Sequence, residues 1–183
     1  MNFIKLNNSI TIDNYVANKL VNSYGNEVNG KFIGIQYYSL ISECKSKIYQ
    51  LIPERYHNDF IVLLMKINCQ IRPHTDSGIL STINIYIKPN DCITRFYSMK
   101  EESGIISNKI KNQSNGSIFD ESCLNLVSEF KAEINDIWLL DVTVPHSVHS
   151  LTNSIDRLAI SFQTTKYTFK EVYKMLQETN NLS

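Results

Sequence analysis

The sequence predicts a mainly β fold with flanking α-helices, arranged as an antiparallel barrel or double-sheet jelly roll. Three observations carry this expectation. From Asp59 onward, short segments rich in Ile, Val, Leu, Phe and Tyr follow one another at 60–71, 79–88, 93–98, 123–130, 136–143 and 156–164. Turn residues such as Pro89-Asn90-Asp91 and Asn135-Asp136 punctuate them. Helical spacing is confined to the stretch before Asp59 and the stretch after Thr168.

Taken in order, Ile12, Val16, Leu20 and Tyr24 recur at helical spacing, with Asp13 as N-cap and Gly25 as stop. Lys31 to Tyr38 alternates as a strand. Leu40, Cys44, Ile48 and Leu51 form a second helical stripe, ended by Pro53. These elements make a helical support over about 1–58, ahead of a barrel over about 59–166. Within the barrel, Thr82, Asn84, Tyr86 and Lys88 share one face of a strand, and Ile83, Ile85 and Ile87 share the other. The polar stretch 99–122 reads as a long loop, either functional (a lid) or poorly ordered. A last helix over about 168–180 opens on the capping-box pattern Thr168-Phe-Lys-Glu171. Its apolar face is Phe169, Val172, Tyr173 and Leu176, which should pack on the sheet. No internal repeat or linker interrupts the chain, so one domain over 1–183 is expected.

Composition narrows the function classes. The 183 residues are 43% hydrophobic and 10% aromatic, enough to bury a core. Lys plus Arg and Asp plus Glu are each 18. That balance removes the main electrostatic argument for a nucleic-acid or membrane-surface partner. Cys44, Cys69, Cys92 and Cys123 form no CxxC pair, so neither a zinc ribbon nor a thioredoxin-type site is suggested. The opening MNFIKLNNSITIDNY has no long apolar run, and the longest apolar run, Phe60 to Met65, has strand length. The expectation is a cytoplasmic protein whose thiols are reduced core residues.

The histidines are His57, His74, His146 and His149. His57 reads as a solvated loop residue. In Arg72-Pro73-His74-Thr75-Asp76 the side chains of His74 and Asp76 stand two apart on an extended segment and face the same way. Val144-Pro145-His146-Ser147-Val148-His149 follows another strand. A histidine from there would complete two His and one carboxylate on one face of a metal, the facial triad of non-haem Fe(II) oxygenases. His146 and His149 compete for that role and should face different ways. Arg157 opens an apolar strand, where a guanidinium is expensive unless paired. A cosubstrate carboxylate would pair it, as would a structural bridge to Asp141 or Asp156.

Together these residues resemble the 2-oxoglutarate- and Fe(II)-dependent dioxygenases, whose pattern is HxD, a distant His and a basic residue about ten positions further on. The matches are His74-Thr-Asp76, His146 and Arg157, within HTDSGILSTINIYI at 74–87, TRFY at 94–97 and WLLDVTVPHSVHSLTNSIDRLAISF at 138–162. The phrasing is similar to small members near the prolyl and aspartyl/asparaginyl hydroxylases and covers roughly 60–165. The resemblance implies a double-stranded β-helix of cupin-like form. It implies Fe(II) on His74, Asp76 and His146, with Arg157 on the C5 carboxylate of 2-oxoglutarate. Asn84 and Tyr86 are candidates for further cosubstrate contacts. It implies O2-dependent hydroxylation of an amino-acid side chain (peptidyl or free) or another small metabolite, releasing succinate and CO2. Prolyl hydroxylases carry Lys where Arg157 stands, and DNA-dealkylating relatives carry a second Arg where this chain has Ser161, Gln163 and Thr164. Both branches are therefore disfavoured. Halogenating relatives lack the carboxylate that Asp76 provides. The competing class is a non-oxygenase cupin-like metal-binding protein, an isomerase or a sensor.

Overall fold

The structure, a computed structural model, describes residues 1–7, 34–40, 42–100, 105–107, 116–152 and 155–181. The helix expected over Ile12 to Tyr24 lies outside them, as does the start of the Lys31 to Tyr38 strand. The described strands are β1 (Phe3–Lys5), β2 (Ile35–Ser39), β3 (Ile61–Ile67), β4 (Ile71–His74), β5 (Ser81–Lys88), β6 (Cys92–Met99), β7 (Ile105–Ser107), β8 (Ile118–Phe119), β9 (Leu124–Lys131), β10 (Ile137–Leu140), β11 (His146–Ser150) and β12 (Arg157–Thr164). The helices are α1 (Ser42–Tyr49) and α2 (Phe169–Glu178).

The strands form two six-stranded sheets, ordered β1-β10-β5-β12-β3-β2 and β7-β8-β4-β11-β6-β9. Every pairing is antiparallel. The fold is a double-stranded β-helix, a jelly roll of two facing sheets.

The first sheet is covered on both faces. Ile83, Ile85 and Ile87 of β5 and Leu158, Ile160 and Phe162 of β12 point outward, where Cys44 and Ile48 of α1 and Val172 and Leu176 of α2 cover them. Burying each such side chain contributes about 1.5–3 kcal/mol. The inner face carries Met65, Tyr86 and Ala159 against Ile71, Phe96, Phe130 and Val148 of the facing sheet. In β5 the face bearing Thr82, Asn84 and Tyr86 is therefore the barrel interior, and all three side chains are buried. A polar face inside a barrel marks a cavity that needs polar groups.

α2 begins as its sequence predicts: the backbone amide and hydroxyl of Thr168 both donate to the Glu171 carboxylate, at 2.8 and 2.7 Å. Met175 is buried on its apolar face, whereas Tyr173 is half-buried. Asn90 and Asn135 take positive φ of 53° and 69° at the expected turns, a conformation Asn tolerates.

Several expectations are corrected. The 60–71 segment is two strands, broken at Asn68-Cys69-Gln70. The stretch 99–122 is not wholly loop, because β7 and β8 pair with each other and β8 pairs with β4. Cys44 and Cys92 are buried, but Cys69 and Cys123 are only half-buried. His57 is only half solvated: its Nε2 lies 3.1 Å from the Ile52 carbonyl and its ring packs on Tyr49 at 4.7 Å.

Candidate metal centre

β4 ends at His74, and β11 begins at His146 directly opposite it in the ladder. Asp76 stands two residues past His74, where its amide donates to the Val142 carbonyl at 3.0 Å beyond the end of β10. These pairings bring one ligand atom from each of His74, Asp76 and His146 within 4.8 Å of one another. His74 Nε2 lies 3.4 Å and His146 Nε2 3.7 Å from the same carboxylate oxygen, Oδ1 of Asp76.

Each imidazole is oriented by its own strand. His74 Nδ1 meets the Arg72 carbonyl at 2.8 Å, and His146 Nδ1 meets the Val144 carbonyl at 3.0 Å. A carbonyl only accepts, so both Nδ1 atoms carry the proton. That leaves Nε2 of each ring, the atom turned toward Asp76, as the one to bind a metal. Phe96 backs the His146 ring in a stacked contact at 5.8 Å. Burial, then the adjacent His74, pushes His146 down to about 4, so the ring stays neutral near neutral pH. Burial opposes ionisation of Asp76, but the contact with His74 and the nearness of His146 outweigh it, and the carboxyl sits below its ordinary range. Two imidazoles and a carboxylate, open on one side, suit a divalent first-row metal.

The group opens into a cavity enclosing about 490 Å³, its solvent-open part included. Arg157 lies in its wall, only 2% exposed. Its Nη2 donates to Thr94 Oγ1 at 3.0 Å, and the guanidinium sits 4.5 Å from the Tyr86 ring centroid. Its Nε is buried without a hydrogen-bond partner. Among the described residues no carboxylate pairs with it: Asp156 pairs instead with Lys66 and Lys88, and Asp141 accepts from Thr143. The structural bridge to Asp141 or Asp156 is thus excluded there. An orphaned donor on a buried cation costs free energy.

Asn84 and Tyr86 both line this cavity. Asn84 Oδ1 accepts from Thr82 Oγ1, which also meets Ser161 Oγ at 3.0 Å. Sequence reasoning missed Thr82, Thr94, Ser161 and Tyr37, which share the lining. The inward face of β5 already offered Thr82, and the motif TRFY offered Thr94. His149 points the other way, onto Gln70, Tyr97 and Ser147, outside the ligand group.

No family model and no curated protein matches the chain. Solved structures do. The epimerase SnoN, crystallised with Fe3+, alpha ketoglutarate and nogalamycin RO, is 11% identical with a TM-score of 0.53, covering 88% of this chain and 78% of its own. E. coli ycfD is 11% identical with a TM-score of 0.48, covering 94% of this chain. Vicilin from Corylus avellana is 10% identical with a TM-score of 0.42, covering 80% of this chain. The chain spans about half of ycfD (52%) and a third of the vicilin (32%). At 11% identity the likeness to SnoN shows the fold alone. Among the described residues no helix is long and apolar enough to cross a membrane.

Proposed function

We propose that the protein is a 2-oxoglutarate- and Fe(II)-dependent oxygenase that hydroxylates an amino-acid side chain, peptidyl or free, or another small metabolite. His74, Asp76 and His146 would hold Fe(II), and Arg157 would take the C5 carboxylate of 2-oxoglutarate beside Asn84 and Tyr86. The observation that carries this reading is the buried, partly unpaired guanidinium in the same cavity as the ligand group.

Bound iron and 2-oxoglutarate supply an O2-dependent oxidation that yields succinate, CO2 and a hydroxylated substrate. The chain's own contribution is position and exclusion of water. The two carbonyl-clamped imidazoles present Nε2 without rearrangement. Thr94 and the Tyr86 ring hold the guanidinium in the cavity wall, where its charge would meet a dicarboxylate. Ile35, Ile67 and Ile71 give the cavity apolar walls, which would strengthen an ion pair formed there. SnoN is described as an epimerase, so hydroxylation is the outcome to measure. A cupin-like isomerase or sensor without the cosubstrate would leave the buried Arg157 charge with no carboxylate counterpart among the described residues.

The test is O2-dependent succinate release from 2-oxoglutarate with Fe(II), screened against peptides and amino acids. Release stimulated by a substrate that gains one oxygen atom supports the proposal. Absence of any O2-dependent succinate, with Fe(II) and cosubstrate shown to be bound, contradicts it.

A further inference from the structure

Thr75 stands between the two ligands of the His74–Asp76 pair, and its side chain leaves the opposite face of the extended segment. β4 ends at His74, so its ladder does not reach Asp76. Other contacts hold the segment there. The Thr75 amide donates to the Ser117 carbonyl at 2.9 Å, and the Ser117 amide donates back to Thr75 Oγ1 at 3.1 Å. From the other side, the Asp76 amide donates to the Val142 carbonyl.

Gly116 is pressed onto the same place. A Cβ there would lie 2.2 Å from the Thr75 carbonyl oxygen and 3.4 Å from the Ser77 amide nitrogen. The obstructing atoms are backbone, so no side-chain rotation would relieve the clash. Gly116 is not among the positive-φ glycines, so its requirement is close approach and not a left-handed conformation.

We infer that Thr75 and Gly116 are positioning residues for Asp76: the Gly116–Ser117 segment braces the backbone between the ligands and sets the carboxylate at ligand distance from both imidazoles. This rests on the metal-centre reading above. The Thr75 hydroxyl accepts from the Ser117 amide, so it acts through the backbone it fixes. Losing an outer group that orients a ligand typically costs about 10- to 100-fold in metal affinity.

The experiment is Co(II) binding by the full chain without cosubstrate, read by calorimetry and by the visible Co(II) spectrum. The variants are Thr75→Val (same shape, no hydroxyl), Thr75→Ser (hydroxyl kept) and Gly116→Ala. Urea midpoints of the metal-free proteins report folding separately. We expect Thr75→Val and Gly116→Ala to bind Co(II) about tenfold more weakly, with an altered spectrum, and Thr75→Ser to stay within about twofold of the parent. Parental affinity and spectrum in both Thr75→Val and Gly116→Ala overturn the inference. So does a Thr75→Ser variant as weak as Thr75→Val. If the parent itself binds no Co(II), the metal-centre reading fails first and carries the brace with it.

Discussion

The imidazoles of His74 and His146 face each other across a strand pair, their ring centroids 4.4 Å apart, each with Nδ1 on the carbonyl two residues upstream. The same local device thus appears twice, once on β4 and once at the start of β11. It needs only an extended backbone and a histidine whose ring folds back along it. The result is two Nε2 atoms turned toward the same oxygen of Asp76.

Removing a ligand should separate metal binding from folding. His74→Ala, Asp76→Ala and His146→Ala should each weaken Fe(II) or Co(II) binding by at least about a hundredfold and abolish 2-oxoglutarate turnover. Calorimetry and succinate release check this, with circular dichroism showing that the fold persists. Normal turnover by any of the three removes that residue from the ligand set.

Arg157 should show a trade between stability and binding. Arg157→Ala should weaken 2-oxoglutarate by about 2–4 kcal/mol, roughly 30- to 1,000-fold, while leaving Co(II) affinity unchanged. Arg157→Leu should lose the cosubstrate equally but unfold at a urea concentration no lower than the parent, because a buried cation with an orphaned donor is exchanged for an apolar group. Unchanged cosubstrate affinity in either variant would rule out Arg157 as the carboxylate anchor.

His149 supplies a pH dependence away from the metal centre. Burial, then Arg95, holds it below its ordinary value of 6.5, against the opposing pull of Glu121 and Glu129. The unfolded chain therefore takes up this proton before the folded one does. Its contribution to stability is intact above pH 6.5 and is lost as pH falls below that value through the folded one. Urea midpoints of the parent and His149→Gln, measured from neutral to mildly acid pH, should show the parent losing more stability on acidification. Parallel curves would mean that His149 is not linked to folding.

α2 should affect stability without touching the cavity. Thr168→Ala should cost about 1 kcal/mol through the lost cap. Leu176→Ala, at a side chain with no exposed surface, should cost about 2–5 kcal/mol. Both should keep parental Co(II) affinity. A large loss of affinity in either would show that the helix supports the ligand strands directly.

Much of the fold was legible because local pattern and tertiary role agree. β5 alternates, α2 carries its own cap, and Asn marks the turns at 90 and 135. β11 was harder, because Ser147 and His149 on one face and His146 on the other leave Val148 as its only apolar residue. Partners on β4 and β6 make it a strand, and sequence spacing does not report them. β7 and β8 are short strands within a polar stretch, visible only through their pairing. The split of 60–71 carries no Gly or Pro to announce it. At the site, HxD, the distal His and Arg157 were readable from residue type and spacing. The clamping carbonyls of Arg72 and Val144 were not, since any residue supplies a carbonyl. Thr94 was hidden for a similar reason: its hydroxyl acquires meaning only once β6 is folded against β12.

The most direct measurement is an anaerobic titration of the protein with Fe(II) and then 2-oxoglutarate, followed by visible absorption. A charge-transfer band that needs metal and cosubstrate together, vanishes in Asp76→Ala and demands far more 2-oxoglutarate in Arg157→Ala is the expected result. No band at saturating Fe(II) and 2-oxoglutarate, or a band indifferent to both substitutions, would contradict a shared iron and cosubstrate cavity.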